Sequence, residues 1–162
     1  MADKDTDRVW DIIEELDICM LTTVAGGSLR ARPMSSHPDR ESGIVYFLTD
    51  ASQGAKDDEL AQDPRACLAY SEPKDNTYLS VSGRADVVRD VAKIKALWDK
   101  DAEAFWPNGP EDPRIRLLRF QPEQAEFWDG PSSTMVTGLK MLAANVTGNQ
   151  PDMGDNKKVS MA

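Results

Sequence analysis

Seven short runs of apolar and β-branched residues, most of them divided by turn residues rather than by helices, constrain this chain more than any other feature. They are Ile18–Val24, Leu29–Ser35, Ile44–Thr49, Ala66–Tyr70, Thr77–Val88, Leu117–Phe120 and Ala125–Trp128. Alternation within such runs buries one face of a strand, and short spacings between them are hairpin distances. A parallel sheet needs a crossover of a dozen or more residues between strands, and only two gaps are long enough to hold one. The pattern therefore predicts an antiparallel barrel with flanking helices, a mainly β (α+β) fold. Gly83 inside the longest run marks a bulge or a close backbone approach.

Helical spacing recurs at a few places. Val9, Ile12, Ile13 and Leu16 form an i, i+3, i+4, i+7 stripe from Thr6 to Leu16, with Asp5 or Thr6 as N-cap. A short helix is expected over about Gly54 to Gln62, stopped by Asp63-Pro64, and a longer one from Asp90 to about Asp99, where Trp98 packs. Pro107 to Pro113 reads as a loop. Met135, Leu139 and Leu142 give a thinner stripe, and beyond Thr147 the polar chain is expected to be mobile or to lie against a partner. The predicted division is a barrel domain over 1–130 and a C-terminal helix with a polar tail over 131–162.

With 162 residues one core is expected, and a net charge of −9 disfavours a nucleic-acid surface or an acidic membrane. No apolar run reaches the roughly 20 residues of a bilayer span, and the charged start, Met1 to Asp5, predicts a cytoplasmic protein. Cys19 and Cys67 fall inside apolar runs and read as core residues; with His37 the one histidine, no metal site is expected. No P-loop or Gly-x-Gly-x-x-Gly turn is present. An anionic ligand would thus need a local positive pocket.

Arg30 to Lys56 supplies one. A two-residue period puts Arg30, Arg32 and Met34 on one face, and the run ending Leu48-Thr49-Asp50 breaks through Ser52 into a helix start that carries Lys56. Free backbone N–H groups at a helix N-terminus favour an anion such as phosphate, although Asp57, Asp58 and Glu59 satisfy the same dipole. Arg30 and Arg32 also have the plain reading of solvated sheet arginines. Trp128 reads equally as a core or interface tryptophan, while Tyr78 lies on the polar face of its strand.

Arg30-Ala31-Arg32-Pro33-Met34, Phe47 to Asp50 with Ser52 and Lys56, Asp63-Pro64-Arg65, Tyr78 to Gly83, and Glu126 to Pro131 occur together in this order. The chain in this respect resembles the bacterial general stress protein 26 family, within the pyridoxamine 5′-phosphate oxidase-like FMN-binding split-barrel superfamily. The resemblance implies a six-stranded split β-barrel, a homodimer, and FMN, with FAD as an alternative, in clefts between the subunits. It implies that backbone groups of Arg32, Pro33 and Met34 border the isoalloxazine beside Leu48 and Asp50. Thr49, Ser52 and Lys56 would hold the phosphate with Arg30 or Arg32, and Tyr78 or Ser80 and Trp128 of the second subunit would close the pocket.

One departure matters: relatives that oxidise pyridoxamine phosphate hold it with a C-terminal arginine and histidine, and no histidine follows His37. The resemblance therefore implies a flavin-binding stress protein with weak or unidentified redox activity. The alternatives are an FMN-dependent oxidoreductase using NAD(P)H on a small substrate, and a dimeric binding or scaffold module with a vestigial cleft. No catalytic residue is assigned.

Overall fold

The computed structural model describes residues 3–53, 55–130, 134–151 and 154–161. In chain order the elements are α1 (Lys4–Glu15), β1 (Ile18–Ala25), β2 (Ser28–Ser35), β3 (His37–Asp39), β4 (Ile44–Asp50), a 3-10 turn (Ala51–Gln53), α2 (Ala55–Gln62), β5 (Arg65–Glu72) and β6 (Thr77–Val88). They continue with α3 (Val91–Leu97), α4 (Lys100–Phe105), β7 (Ile115–Asp129), α5 (Thr134–Thr147) and β8 (Asp155–Ser160). The strands form one antiparallel sheet in the order β2-β1-β5-β6-β7-β4-β3, with β8 added to β7.

Period-two burial sets the inside. Cys19, Leu21 and Thr23 of β1 point inward, as do Ala66, Leu68 and Tyr70 of β5 and Leu79, Val81 and Ala85 of β6. They meet Phe47, Leu118 and Phe120, while Val9, Ile12 and Ile13 of α1 close the cluster. A second, smaller cluster joins Ile94, Ala102 and Trp106 to Tyr46, Ile115 and Leu117. Trp98 packs against Trp106 there, ring centroids 6.4 Å apart.

Several expectations are corrected in detail. The first helix begins at Lys4 with Asp3 as its cap residue, not Asp5 or Thr6. The long helix expected after Asp90 is two short ones, because Asp99 accepts a hydrogen bond from the Ala102 N–H at 2.8 Å and so caps a new helix. The two last expected strands are one, since β7 runs on through Gln121 to Glu123 with a register shift opposite Ser82 and Gly83. Gly83 meets both readings made of it: a Cβ there would lie 2.1 Å from the Gln121 carbonyl oxygen. Finally, the polar segment after Thr147 returns as β8, whose Val159 is buried in the barrel core. Among the described residues the sheet thus holds eight strands where six were expected, β3 and β8 being the short additions.

One seam stays open. Among the described residues β2 forms a ladder only with β1, and β4 only with β7 and the three-residue β3. The barrel is therefore split between β2 and β4, and Pro33 sits on the edge strand, where its missing N–H breaks no ladder.

Candidate functional site

The seam opens into a cleft of about 610 Å³. Pro33, Met34 and Ser35 of β2 form one wall, Leu48, Thr49 and Asp50 of β4 the other, and α4 with Phe105 and Trp106 the floor. Because β2 is paired on one side only, alternate backbone groups of this strand turn toward the gap. Such an edge can hydrogen-bond the donor and acceptor rim of a flat heterocycle, and the Met34, Leu48 and Trp106 side chains give it apolar contact.

Arg30, Arg32 and Met34 do share a face. They stand opposite Thr23, Leu21 and Cys19 in the β1–β2 register, so all three point to the inner side of the sheet. The two arginines, however, differ in freedom. The guanidinium of Arg32, 13% exposed, donates to Glu59 at 2.8 Å and to the Thr23 hydroxyl. Thr23 in turn donates to Glu59 at 2.7 Å, so a buried carboxylate gathers both. Burial lowers the Arg32 pKa, with Glu59 opposing that shift and Arg30 adding to it. Arg30 gives Glu59 one N–H at 3.2 Å and is 55% exposed, leaving most of its planar fork available.

Ser52 is engaged as well. Its hydroxyl donates to Asp50 at 2.5 Å and its N–H to the same oxygen at 2.8 Å, while the Trp106 indole N–H reaches the other oxygen at 3.2 Å. These bonds, the Ser52 hydroxyl first, hold the Asp50 carboxyl below its ordinary range against the opposing effect of burial. Thr49 is buried in β4 opposite Arg116. The side chain of Lys56 lies outside the described residues; its backbone is in the first turn of α2.

Tyr78, Ser80 and Trp128 lie elsewhere, on the outer face of the sheet. Tyr78 and Trp128 are directly opposed across β6 and β7, at 39% and 40% exposure, and with Ser80 and Met20 they line a second hollow of about 270 Å³. Ile18 borders the first cleft and Met20 the second, two residues apart on the outward side of β1. The two concavities are therefore neighbours, but one chain does not bring the residues of both onto one ligand.

Three participants escaped the sequence reading. Glu59 was taken with Asp57 and Asp58 as a dipole complement; its place next to Leu60, which is buried, was the available sign that it faces inward. Phe105 and Trp106 had no assigned role because the helix that carries them was not foreseen, although Asp99 three residues before Ala102 is a capping signal.

The described residues contain no cluster of histidine, cysteine and carboxylate side chains suited to a metal, and no helix long and apolar enough to cross a membrane.

A family model described as pyridoxamine 5′-phosphate oxidase like matches residues 4–152. The general stress protein 26 of Bacillus subtilis is 23% identical over 133 residues, covering 80% of this chain and 92% of that protein. A putative general stress protein 26 from Jannaschia sp. superposes with a TM-score of 0.74 at 26% identity, over 96% of this chain and 97% of the other. A general stress FMN/FAD binding protein from Xanthomonas citri gives 0.66 at 28% identity, over 76% and 87%.

Proposed function

This chain belongs to the pyridoxamine 5′-phosphate oxidase-like family, and from that premise we propose that it is a flavin-binding general stress protein, holding FMN in a cleft completed by a second copy of itself. The observation that carries this reading is the split seam: the edge strand β2, paired on one side only, faces Leu48, Thr49 and Asp50 of β4 across a cleft of about 610 Å³.

The donor set fits the two ends of a flavin unequally. For the ring, backbone groups between Arg32 and Met34 meet the pyrimidine rim, while Pro33, Met34 and Leu48 cover the faces. For the phosphate, Arg30 is the arginine with free N–H groups, and Lys56 is its partner at the helix start. Arg32 acts through Glu59 and Thr23, fixing β2 against α2. Thr49 and Ser52 shape the turn between them, with the Ser52 hydroxyl held by Asp50. Tyr78, Ser80 and Trp128 of the second copy supply the cover. When bound, the flavin supplies whatever electron transfer the protein performs; the residues around the cleft bind it, orient it and exclude water.

The test is the visible spectrum of the purified full chain, with mass analysis of any released cofactor. Visible flavin absorbance, of the order expected for one flavin per chain, supports the reading. A colourless protein that gains no flavin signal on titration with FMN, FAD or riboflavin overturns it.

A further inference from the structure

The cleft between β2 and β4 has a border besides its two strand walls. His37 of β3 lines it, and so do Asp99, Asp101, Phe105 and Trp106 of α4 and its flanks. His37, Asp101 and Phe105 have no part in holding the flavin as proposed above. Phe105 is 78% exposed, whereas the Trp106 ring, 6.0 Å away, is packed into the smaller core cluster. A phenyl ring open to a cleft beside a packed indole offers a further aromatic ring an edge or a face to rest on.

The charge along this border has one sign. Among the described residues that line the cleft there are three carboxylates, Asp50, Asp99 and Asp101, and no lysine or arginine. Asp50 is answered by Ser52 and Trp106, with Arg114 nearby. Asp99 gives one oxygen to the Ala102 N–H. Asp101 is exposed and has no hydrogen-bond or ion-pair partner among the described residues, and the imidazole of the half-buried His37 has none either. Of the neighbouring cations, Lys93 is held by Asp39 at 2.9 Å and lies over the Tyr46 ring, while Lys100 does not line the cleft. A recess with apolar walls and one sign of charge gathers the opposite sign.

We propose that this part of the cleft is a substrate site for a small aromatic cation that carries an N–H group and no anionic group. The ring rests on Phe105 and Trp106, the positive group faces Asp101 and the second oxygen of Asp99, and His37 in its neutral form accepts one N–H from it. The acids alone would suit any cation. The exposed phenyl ring narrows the class to ligands with a ring, and the unpartnered imidazole to those with a donor. A substrate bearing a carboxylate or phosphate fits worse, since it meets three carboxylates and no cation among the described lining residues. The role as substrate rests on the flavin reading, because the flavin would be the ligand's redox partner; the binding itself rests only on the side chains of the cleft.

Titration of the full chain as purified with phenethylamine, 2-phenylethanol and phenylacetate, followed by ligand-observed NMR at low salt, tests this, with far-UV circular dichroism as the check on folding. Phenethylamine is expected to bind at least about tenfold more tightly than phenylacetate, and more tightly than the neutral alcohol. Asp101→Asn is expected to remove about threefold of the preference for the amine over the alcohol, and Phe105→Ala to weaken both by about threefold, the range of exposed ion pairs and ring contacts. Phe105→Leu gives the same readout should the alanine variant fail to fold. His37→Leu is expected to weaken phenethylamine but not phenethyltrimethylammonium, which has the charge and the ring without an N–H. Phenylacetate binding as tightly as the amine overturns the proposal, as does no detectable amine binding at millimolar concentration. Amine binding that none of the three positions alters overturns it as well. A flavin-coloured protein with no preference for the amine overturns this inference and leaves the flavin reading standing. A colourless protein whose amine binding depends on Asp101 and Phe105 supports the cation site and defeats the flavin reading instead.

Discussion

The inner side of β2 and the outer side of β6 and β7 are built on opposite terms. Inside, Arg32 and Thr23 both donate to Glu59 at the end of a well-packed barrel, while the buried Nε of Arg32 has no hydrogen-bond partner among the described residues. Outside, Tyr78 and Trp128 stand opposite each other across β6 and β7, both part-exposed, and α5 adds exposed leucines. A buried polar set is costly when incomplete, so most of the donors in the first region are answered within the protomer. An exposed apolar set costs little when alone but is stabilised by cover, which the proposed second copy would supply. The cleft lies between the two, with Ile18 and Met20 of β1 as the bridge.

The contrast breaks most visibly at Glu59. Glu59→Ala leaves the Arg32 guanidinium buried without its carboxylate, and unfolding in urea should show a loss of about 3–5 kcal/mol, the usual cost of orphaning one member of a buried pair. Glu59→Gln, which keeps hydrogen-bond acceptors, should cost less. A loss under about 1 kcal/mol for Glu59→Ala would mean that the inner set is not closed in solution. Trp128→Ala should behave in the reverse manner. Protomer unfolding should change by under about 1 kcal/mol, while dimer association and flavin binding weaken by about 2 kcal/mol or more, as for a central interface tryptophan. Sedimentation and flavin fluorescence titration separate the two effects.

How far each region was legible from residues alone follows from the range of the interactions involved. Strand positions, the inward face of β1 and the shared face of Arg30, Arg32 and Met34 were readable, because period-two alternation is a local signal. The bulge at Gly83 was readable for the same reason. The Glu59 set was not, since it joins residues 27 and 36 positions apart and competes with a local explanation, the helix dipole. The return of the chain as β8 was missed because Asn156, Lys157 and Lys158 carry no apolar alternation; their strand is made by pairing with β7, with Val159 alone reaching the core. The cleft floor was missed through α4, too short at six residues to show a period.

A finer division falls between the phosphate and the ring. Lys56→Ala should weaken FMN by about 1–3 kcal/mol and leave riboflavin, which lacks the phosphate, nearly unchanged. Arg30→Ala should do the same to a smaller degree, because part of its charge is already answered by Glu59. Isothermal titration with both ligands decides the matter. Equal losses for FMN and riboflavin would place these cations away from the phosphate and would move the ligand toward the apolar half of the cleft.

The smallest effect concerns the joint where β7 and β8 meet. Asp129 is held below its ordinary carboxylate range, chiefly by the Arg8 guanidinium and also by Thr77, against partial burial. A depressed carboxylate pKa in the folded state means that unfolding takes up a proton once pH falls below the unfolded value of about 3.9. The stabilisation by this bridge is therefore fully present above that pH and is lost as pH drops through the lowered folded value. Both side chains are about 30% exposed, so solvent screening limits the contribution to about 1 kcal/mol even for a two-pronged contact. Asp129→Asn should accordingly flatten the acid limb of a stability-versus-pH curve slightly while leaving the neutral barrel folded. Hydrogen exchange at Asn156 to Val159, which pair with β7 beside this bridge, should quicken in the same variant and not in Glu59→Gln. Faster exchange in both would show that the joint and the inner set share one cooperative unit, which erases the contrast between the two regions.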